Sequence, residues 1–345
     1  MNSIFISKWT IVALLAVLPA LQACETGISV PPVPATFNEV LNNNVNGIRT
    51  ARRVIADGPN WQSYNHSDEL DDNWCADLAV APDGKLRYLA FIHEAPGGNW
   101  LLSIRTGLGS QTWSTTFSGV AVPEIVDSEG FAVSSCVRVR FRHLKDDLYG
   151  IVWINNGLLS NAVFDASKSP PADLVLGDVA AFPAFDEPLP GGGHVSARQL
   201  SLVWFNDRVN LVWSKADRTQ IKTKTATLGA SGIAFGPGAS FTRIEHNELS
   251  DVIVHDGALY VAAKIGGTMR LFSTSTGGTN WQEVASCAAP SSNLTGRLLY
   301  ADPAGDKRVA QSASGIFWQL NFADCSTSAF PLMLTHGDVT YHPGD

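Results

Sequence analysis

Three aspartates, Asp77, Asp251 and Asp338, each stand just ahead of a short apolar run, and three arginines, Arg138, Arg198 and Arg297, open other copies of that run. A ring of carboxylates around a narrow passage would share protons or hold a cation, whereas an Asp that opens a strand also caps its own backbone. Converging guanidinium forks would match the two oxygens of a carboxylate; the same side chains equally serve ion pairs between sheets or at the surface. His246 and His336 flank these positions, and Trp74 is the candidate, among ten tryptophans, for stacking on a sugar face. These nine side chains form the candidate ligand-binding set, and no catalytic residue is assigned.

What must position them is a repeated strand-turn-strand unit. It occurs from Leu78 to Phe91, Val137 to Trp153, Leu200 to Trp213, Val252 to Ala262 and Leu298 to Gln311, and it begins again at Asp338. The second turn residues fall at 84, 147, 207, 257, 306 and 345, intervals of 63, 60, 50, 49 and 39. After each of the first five copies a polar loop leads to a third strand: Trp100 to Thr106, Leu158 to Phe164, Gln220 to Thr225, Met269 to Thr274 and Ile316 to Asn321. Fourth strands begin at Trp113 and Trp281. No apolar stripe of helical period and length interrupts the pattern. Antiparallel four-stranded sheets without a helical layer bury both faces by stacking around an axis, so the expected fold is all-β, a six-bladed β-propeller.

The sixth copy supplies one strand, and its missing partners are expected from the N-terminal side: Pro31 to Leu41 as second strand, Gly47 to Ile55 as third, and Trp61 to Tyr64 as fourth. The ring would close by pairing N- and C-terminal strands. The Pro- and Gly-rich stretch Phe182 to Gly193 reads as a long loop between blades, since its prolines cannot serve a central ladder.

The stretch Thr274, Ser275, Thr276, Gly277, Gly278, Thr279, Asn280, Trp281 resembles a degenerate Asp-box (Ser/Thr-x-Asp-x-Gly-x-Thr-Trp) of sialidase-like, or BNR, propellers, with Thr276 in the place of the acid. Thr106 to Trp113 is similar but lacks both the acid and its glycine, having Leu108 and Ser110 there. In that family the box is a fold-stabilising turn remote from the ligand. The resemblance also implies a comparison between Arg138, Arg198 and Arg297 and the three arginines that grip a substrate carboxylate in sialidases. The Phe-Arg-Ile-Pro motif of the family is absent, and no Tyr is tied to a neighbouring Glu; Tyr300 and Tyr341 are the tyrosines to consider.

The start of the chain is an address. Lys8 precedes an apolar run of about ten residues, Ile11 to Ala20, far short of the roughly 20 that span a bilayer. Leu21-Gln22-Ala23-Cys24 resembles a bacterial lipobox, which implies a signal peptide over 1–23, lipidation of Cys24, a tether over 24–35 and one domain over 24–345. Glu25 after the lipidated Cys favours the outer membrane. Cleavage nearby, with Cys24 a plain thiol, is the alternative. The other four cysteines read as two disulfides in an exported protein. Cys75 and Cys136 precede inner strands of consecutive blades, and Cys287 and Cys325 follow outer parts of consecutive blades, so the expected pairs are Cys75–Cys136 and Cys287–Cys325.

A net charge of −8 without a basic run argues against nucleic acid or an anionic lipid surface as partner; the membrane is met through the anchor alone. CxxC, HExxH, nucleophile-elbow, P-loop and dinucleotide motifs are missing, so neither metal nor cofactor is expected. The reading is a lipid-anchored module of the bacterial cell envelope that binds a glycan or a partner protein through the channel face. A sialidase-type glycoside hydrolase is the alternative, and a structural subunit of an envelope complex, with an apolar rim patch, is the second.

Overall fold

The polar turns between first and second strands fold as tight hairpins because their residues tolerate positive φ. Asn206 and Asp207 have φ of 52° and 55°, and Asp256 and Gly257 have 46° and 71°. Two successive left-handed residues make the turn whose twist matches the flanking strands, and Asn, Asp and Gly adopt it at least cost. Gly84, Asp146 and Gly305 also take positive φ in their turns.

The structure is a computed structural model and describes residues 35–43, 47–54, 60, 62–66, 75–95, 97–108, 112–124, 139–155, 158–178, 186–188, 194–196, 198–215, 217–229, 232–236, 239–289, 295–313, 316–331 and 338–342. All lie within one compact unit, Val33–Asp345. The signal segment, Cys24, Trp74, Cys136, Arg138 and His336 fall outside the described residues.

Among the described residues the architecture is all-β, with six antiparallel sheets of four or five strands. Sheet 1 runs Asp338–His342, Thr36–Asn43, Gly47–Val54, Gln62–Asn65, so the last of the described strands pairs with the first, Phe37 opposite Tyr341. Sheet 2 is the meander Cys75–Val80, Leu86–Ala95, Asn99–Leu108, Thr112–Val122. Sheet 3 is Arg140–Lys145, Leu148–Asn155, Leu158–Asp165, Leu174–Leu176. Sheet 4 is Arg198–Phe205, Arg208–Ser214, Gln220–Gly229, Gly232–Phe235, with Ser240–Arg243 also on the third strand. In sheet 5 the first strand comes in two pieces, Glu248–Leu249 and Ile253–His255, followed by Ala258–Ile265, Thr268–Thr274 and Gln282–Ala288. Sheet 6 is Thr295–Ala301, Lys307–Ala313, Ile316–Asn321, Thr327–Pro331. The fifth strands correct the uniform expectation of four. The expected loop 182–193 contributes Asp186–Pro188 to a two-stranded ribbon with His194–Ser196, outside the six sheets, where Pro188 disturbs no central ladder.

Second strands are buried on both faces, as in Leu86–Ala95 and Arg208–Ser214, whereas the outer strand Gln282–Ala288 is largely exposed. The buried apolar side chains fall between successive sheets. Tyr88 and Ile104 meet Phe141 and Trp153 between sheets 2 and 3, and Leu144 and Val152 meet Leu202 and Trp213 between sheets 3 and 4. Phe37 and Tyr341 of sheet 1 pack on Leu298 and Tyr300 of sheet 6, while Ile48 of sheet 1 packs with Leu78, Phe91 and Trp113 of sheet 2. Such wedges of Tyr, Trp and Leu bury 150–250 Å² per aromatic and dominate the stability of the stack. First strands of successive sheets are neighbours throughout, sheet 6 beside sheet 1 and sheet 1 beside sheet 2.

The Asp-box-like segment is the turn between the third and fourth strands of sheet 5. Thr274 Oγ1 and Thr276 Oγ1 both donate to the Thr279 carbonyl, at 2.5 and 2.8 Å, so a hydroxyl holds the turn where the family has a carboxylate. Gly278, at φ 89°, lets Thr223 of sheet 4 approach and donate to its carbonyl at 2.7 Å, and Trp281 is buried between sheets 4 and 5. Cys287 and Cys325 form a disulfide, Cα atoms 5.4 Å apart, that ties the outer strand of sheet 5 to sheet 6 as expected. The Cys75–Cys136 pair lies outside the described residues.

Candidate binding cavity

Arg142 is the centre of a hydrogen-bonded chain that links the first strands of sheets 2, 3, 4 and 5. Arg140 and Arg142 stand two residues apart on the strand Arg140–Lys145, so a period of two puts them on one face. Arg142 Nη1 donates to Asp77 Oδ2 at 2.6 Å, and its Nη2 donates to Asp251 Oδ2 at 3.0 Å. Asp77 is fully buried and also accepts from the backbone of Leu78 and Phe141 at 2.8 and 2.9 Å. Arg140 Nε donates to the Leu200 carbonyl at 2.7 Å, with Asp251 Oδ1 3.8 Å away. Ser201 Oγ donates to Asp251 Oδ1 at 3.1 Å and accepts from the Val252 backbone at 3.2 Å.

Local backbone irregularity makes this arrangement. The first strand of sheet 5 is interrupted at 250–252, which frees Asp251 from the ladder, while the register shifts between Arg198 and Ser201 in sheet 4. Such breaks re-aim side chains next to sites. Two of the three expected aspartates are therefore brought together, but as the two arms of an ion-paired guanidinium. Asp77 and Asp251 thus meet the Arg142 guanidinium between them, at 2.6 and 3.0 Å, rather than each other. Asp77 also caps its own strand through Leu78.

Below this chain, towards the hairpin turns, lies a cavity of about 610 Å³ among the first strands of sheets 1, 2, 3, 5 and 6. Arg142 and Asp251 border it at one end, with side chains 20% and 17% exposed. Val80, Ile253, Val254 and Ala301 contribute apolar wall, and His143, His255 and His342 stand near the turn end. Each imidazole uses Nε2 at its own or a neighbouring hairpin. His143 reaches the Asp146 carbonyl at 2.7 Å, His342 the Pro82 carbonyl at 3.1 Å, and His255 the Asp256 carboxylate at 3.0 Å. Asp302 is matched by Arg308, whose Nε donates to it at 2.7 Å, and the guanidinium with its companion hydrogen bonds holds the carboxyl below its usual range despite partial burial.

The remaining expected site residues are dispersed. His246 is buried, with Nδ1 2.7 Å from the Ile244 carbonyl and Nε2 2.8 Å from Ser214 Oγ, and it is not among the residues that line this cavity. Arg198 and Asp338 open first strands and Arg297 is the third residue of another, Thr295–Ala301, while the side chains of all three lie outside the described ones. Burial pushes the Tyr300 hydroxyl up out of the ordinary range and that of Tyr341 to about 12, so neither ring is poised as a phenolate. Tyr300 Oη accepts from Gln319 Nε2 at 2.7 Å and its ring packs on Tyr341, centroids 4.4 Å apart. Arg142, His143 and His255 were not singled out by sequence reasoning; the alternation Arg138, Arg140, Arg142 was the available signal for the first.

No protein-family model matches the chain, and no curated protein matches it in sequence. Solved structures do match in fold. AofleA from Arthrobotrys oligospora is 10% identical over 90% of this chain and 86% of its own, with a TM-score of 0.51. Apo AztD from Citrobacter koseri is 9% identical, covering 91% and 99%, with a TM-score of 0.41. The PQQ-bound aldose sugar dehydrogenase from Streptomyces coelicolor is 13% identical, covering 69% and 80%, with a TM-score of 0.37. These are β-propeller-like proteins, and the likeness is one of fold alone.

Proposed function

We propose that the chain is a six-bladed β-propeller, held by a lipid on Cys24 at the outer membrane of a bacterial envelope, that binds a glycan or a partner protein through its central channel. The observation that carries the binding role is the cavity of about 610 Å³ among the first strands, bordered by the partly exposed Arg142–Asp251 pair. Ligand sites are concavities of this size with apolar walls and a few convergent polar groups. The ring is supported by the apolar wedge between every successive pair of sheets, sheets 6 and 1 included, and by the pairing of Thr36–Asn43 with Asp338–His342. The Cys287–Cys325 disulfide suits an exported protein.

The test is a glycan array and a pull-down from solubilised envelope, with wild type beside Val254→Trp, which fills the turn end of the cavity from a residue 44% exposed. A saturable ligand lost in Val254→Trp supports the reading; no ligand, or one indifferent to that substitution, ends it. Turnover of a sialoside, lost in Arg198→Ala or Arg297→Ala at unchanged Tm, would replace it with a hydrolase. Labelled palmitate should enter the wild type and not Cys24→Ser.

A further inference from the structure

We propose that the cavity takes a neutral, polyhydroxylated ligand, a sugar ring, with two neighbouring hydroxyls seated on the Arg142–Asp251 pair. The proposal rests on the reading of the channel as a binding site and names the chemistry that site selects. The charges around the cavity are already matched inside the protein. Arg142 lies between Asp77 and Asp251, Arg140 Nε stands 3.8 Å from Asp251, and Asp302 is held by Arg308, so three guanidiniums answer three carboxylates. An anionic or cationic ligand would therefore find no unbalanced charge to pay for its own desolvation. A purely apolar ligand would strip water from an ion pair whose side chains are 20% and 17% exposed and give nothing back.

A vicinal diol meets both groups. Asp251 accepts one hydrogen bond on each oxygen, from Ser201 on Oδ1 and from Arg142 on Oδ2, and each carboxylate oxygen has two lone pairs. One ligand hydroxyl donates to Asp251 while its neighbour accepts from the guanidinium, so the pair presents an acceptor and a donor side by side. Further along, His143 Nε2 lies 2.7 Å from a carbonyl, which only accepts, and His255 Nε2 lies 3.0 Å from a carboxylate. Both rings thus carry a proton on Nε2, and the tautomer with that proton alone has Nδ1 as an acceptor suited to further hydroxyls. Ile253 and Val254 supply the apolar wall against which the C–H face of a sugar packs.

The experiment is saturation-transfer NMR followed by calorimetry with D-glucose, D-galactose, D-mannose, L-fucose and D-xylose, each free and as its methyl glycoside, beside glucuronate, N-acetylneuraminate and inorganic phosphate. The methyl glycosides distinguish a free sugar from the end of a glycan chain. At least one neutral sugar should bind saturably, be weakened about tenfold or more in Asp251→Asn, and be lost in Val254→Trp, with Tm of the latter close to wild type. Asp251→Asn keeps the shape of the side chain and the Ser201 contact, and Val254→Trp covers the case in which that variant folds poorly. Binding of the acids or phosphate in preference, absence of any neutral-sugar binding, or indifference to both substitutions overturns the proposal. A ligand of other chemistry that Val254→Trp still excludes overturns this assignment and leaves the binding reading standing.

Discussion

Arg142 Nη1 meets Asp77 Oδ2 at 2.6 Å across 65 residues of sequence, and the carboxylate it meets is wholly shielded from solvent. Removing the guanidinium leaves Asp77 charged in a medium that cannot solvate it. Arg142→Met should cost roughly 3–5 kcal/mol in urea unfolding, and the double variant Asp77→Leu/Arg142→Met should cost less than the sum of its single variants. Additive losses would show that the pair is not coupled.

His66 gives the protein an acid-side sensitivity. Its ring is fully buried, its Nδ1 accepts from Arg105 Nη1 at 3.0 Å, and its Nε2 faces Thr50 Oγ1 at 3.1 Å. Burial first, then the Arg105 and Arg87 guanidiniums, hold it down to about 3. The unfolded chain therefore binds one more proton than the folded one below about pH 6.5. Stability is complete above that value and falls by about 1.4 kcal/mol per pH unit as pH drops towards 3. Chemical denaturation across that window should show a shallower slope in His66→Gln.

The Cys287–Cys325 bridge closes a separation of 38 residues. On chain-entropy grounds it contributes about 4 kcal/mol by restricting the unfolded state. Cys287→Ser/Cys325→Ser should lower the denaturant midpoint accordingly, without change in the far-ultraviolet spectrum.

Gly278 and Thr276 test the turn that stands where an Asp-box would. A Cβ at Gly278 would lie 2.1 Å from Thr223 Cγ2 at a φ of 89°, so Gly278→Ala should cost roughly 2–4 kcal/mol. Thr276→Asp, which restores the family's acid, should destabilise by about 1 kcal/mol, because Thr276 Oγ1 donates to the Thr279 carbonyl and a carboxylate cannot. Stabilisation by the aspartate, read from the melting temperature, would contradict this reading of the turn.

The hairpins were legible because Asp-Gly and Asn-Asp turns act locally: Ile316 to Asn321 is a strand to the residue, and the Gly47 strand ends one residue earlier than expected. The Cys287–Cys325 link followed from counting strands. The site was legible only in part. Asp77 and Asp251 announce themselves by position, but what each accepts is decided by Phe141 and Ser201, residues whose approach depends on bulges that no local pattern encodes. His246 carries the same chemistry as a site histidine and is buried against Ser214, a distinction made by packing alone. The split first strand of sheet 5 likewise escaped notice, since Ser250, Asp251 and Val252 continue an alternating pattern while Ser250 Oγ takes the Ala262 amide in place of a regular ladder bond.

The pairing of Thr36–Asn43 with Asp338–His342 also sets a timetable. A nascent chain must extend past residue 338 before the strand Thr36–Asn43 acquires its partner on that side, the strand pairing of greatest sequence separation among the described residues. Pairing at such a separation is intrinsically slow, and a translation product stopped short of residue 338 would leave Thr36–Asn43 with an open edge that invites self-association.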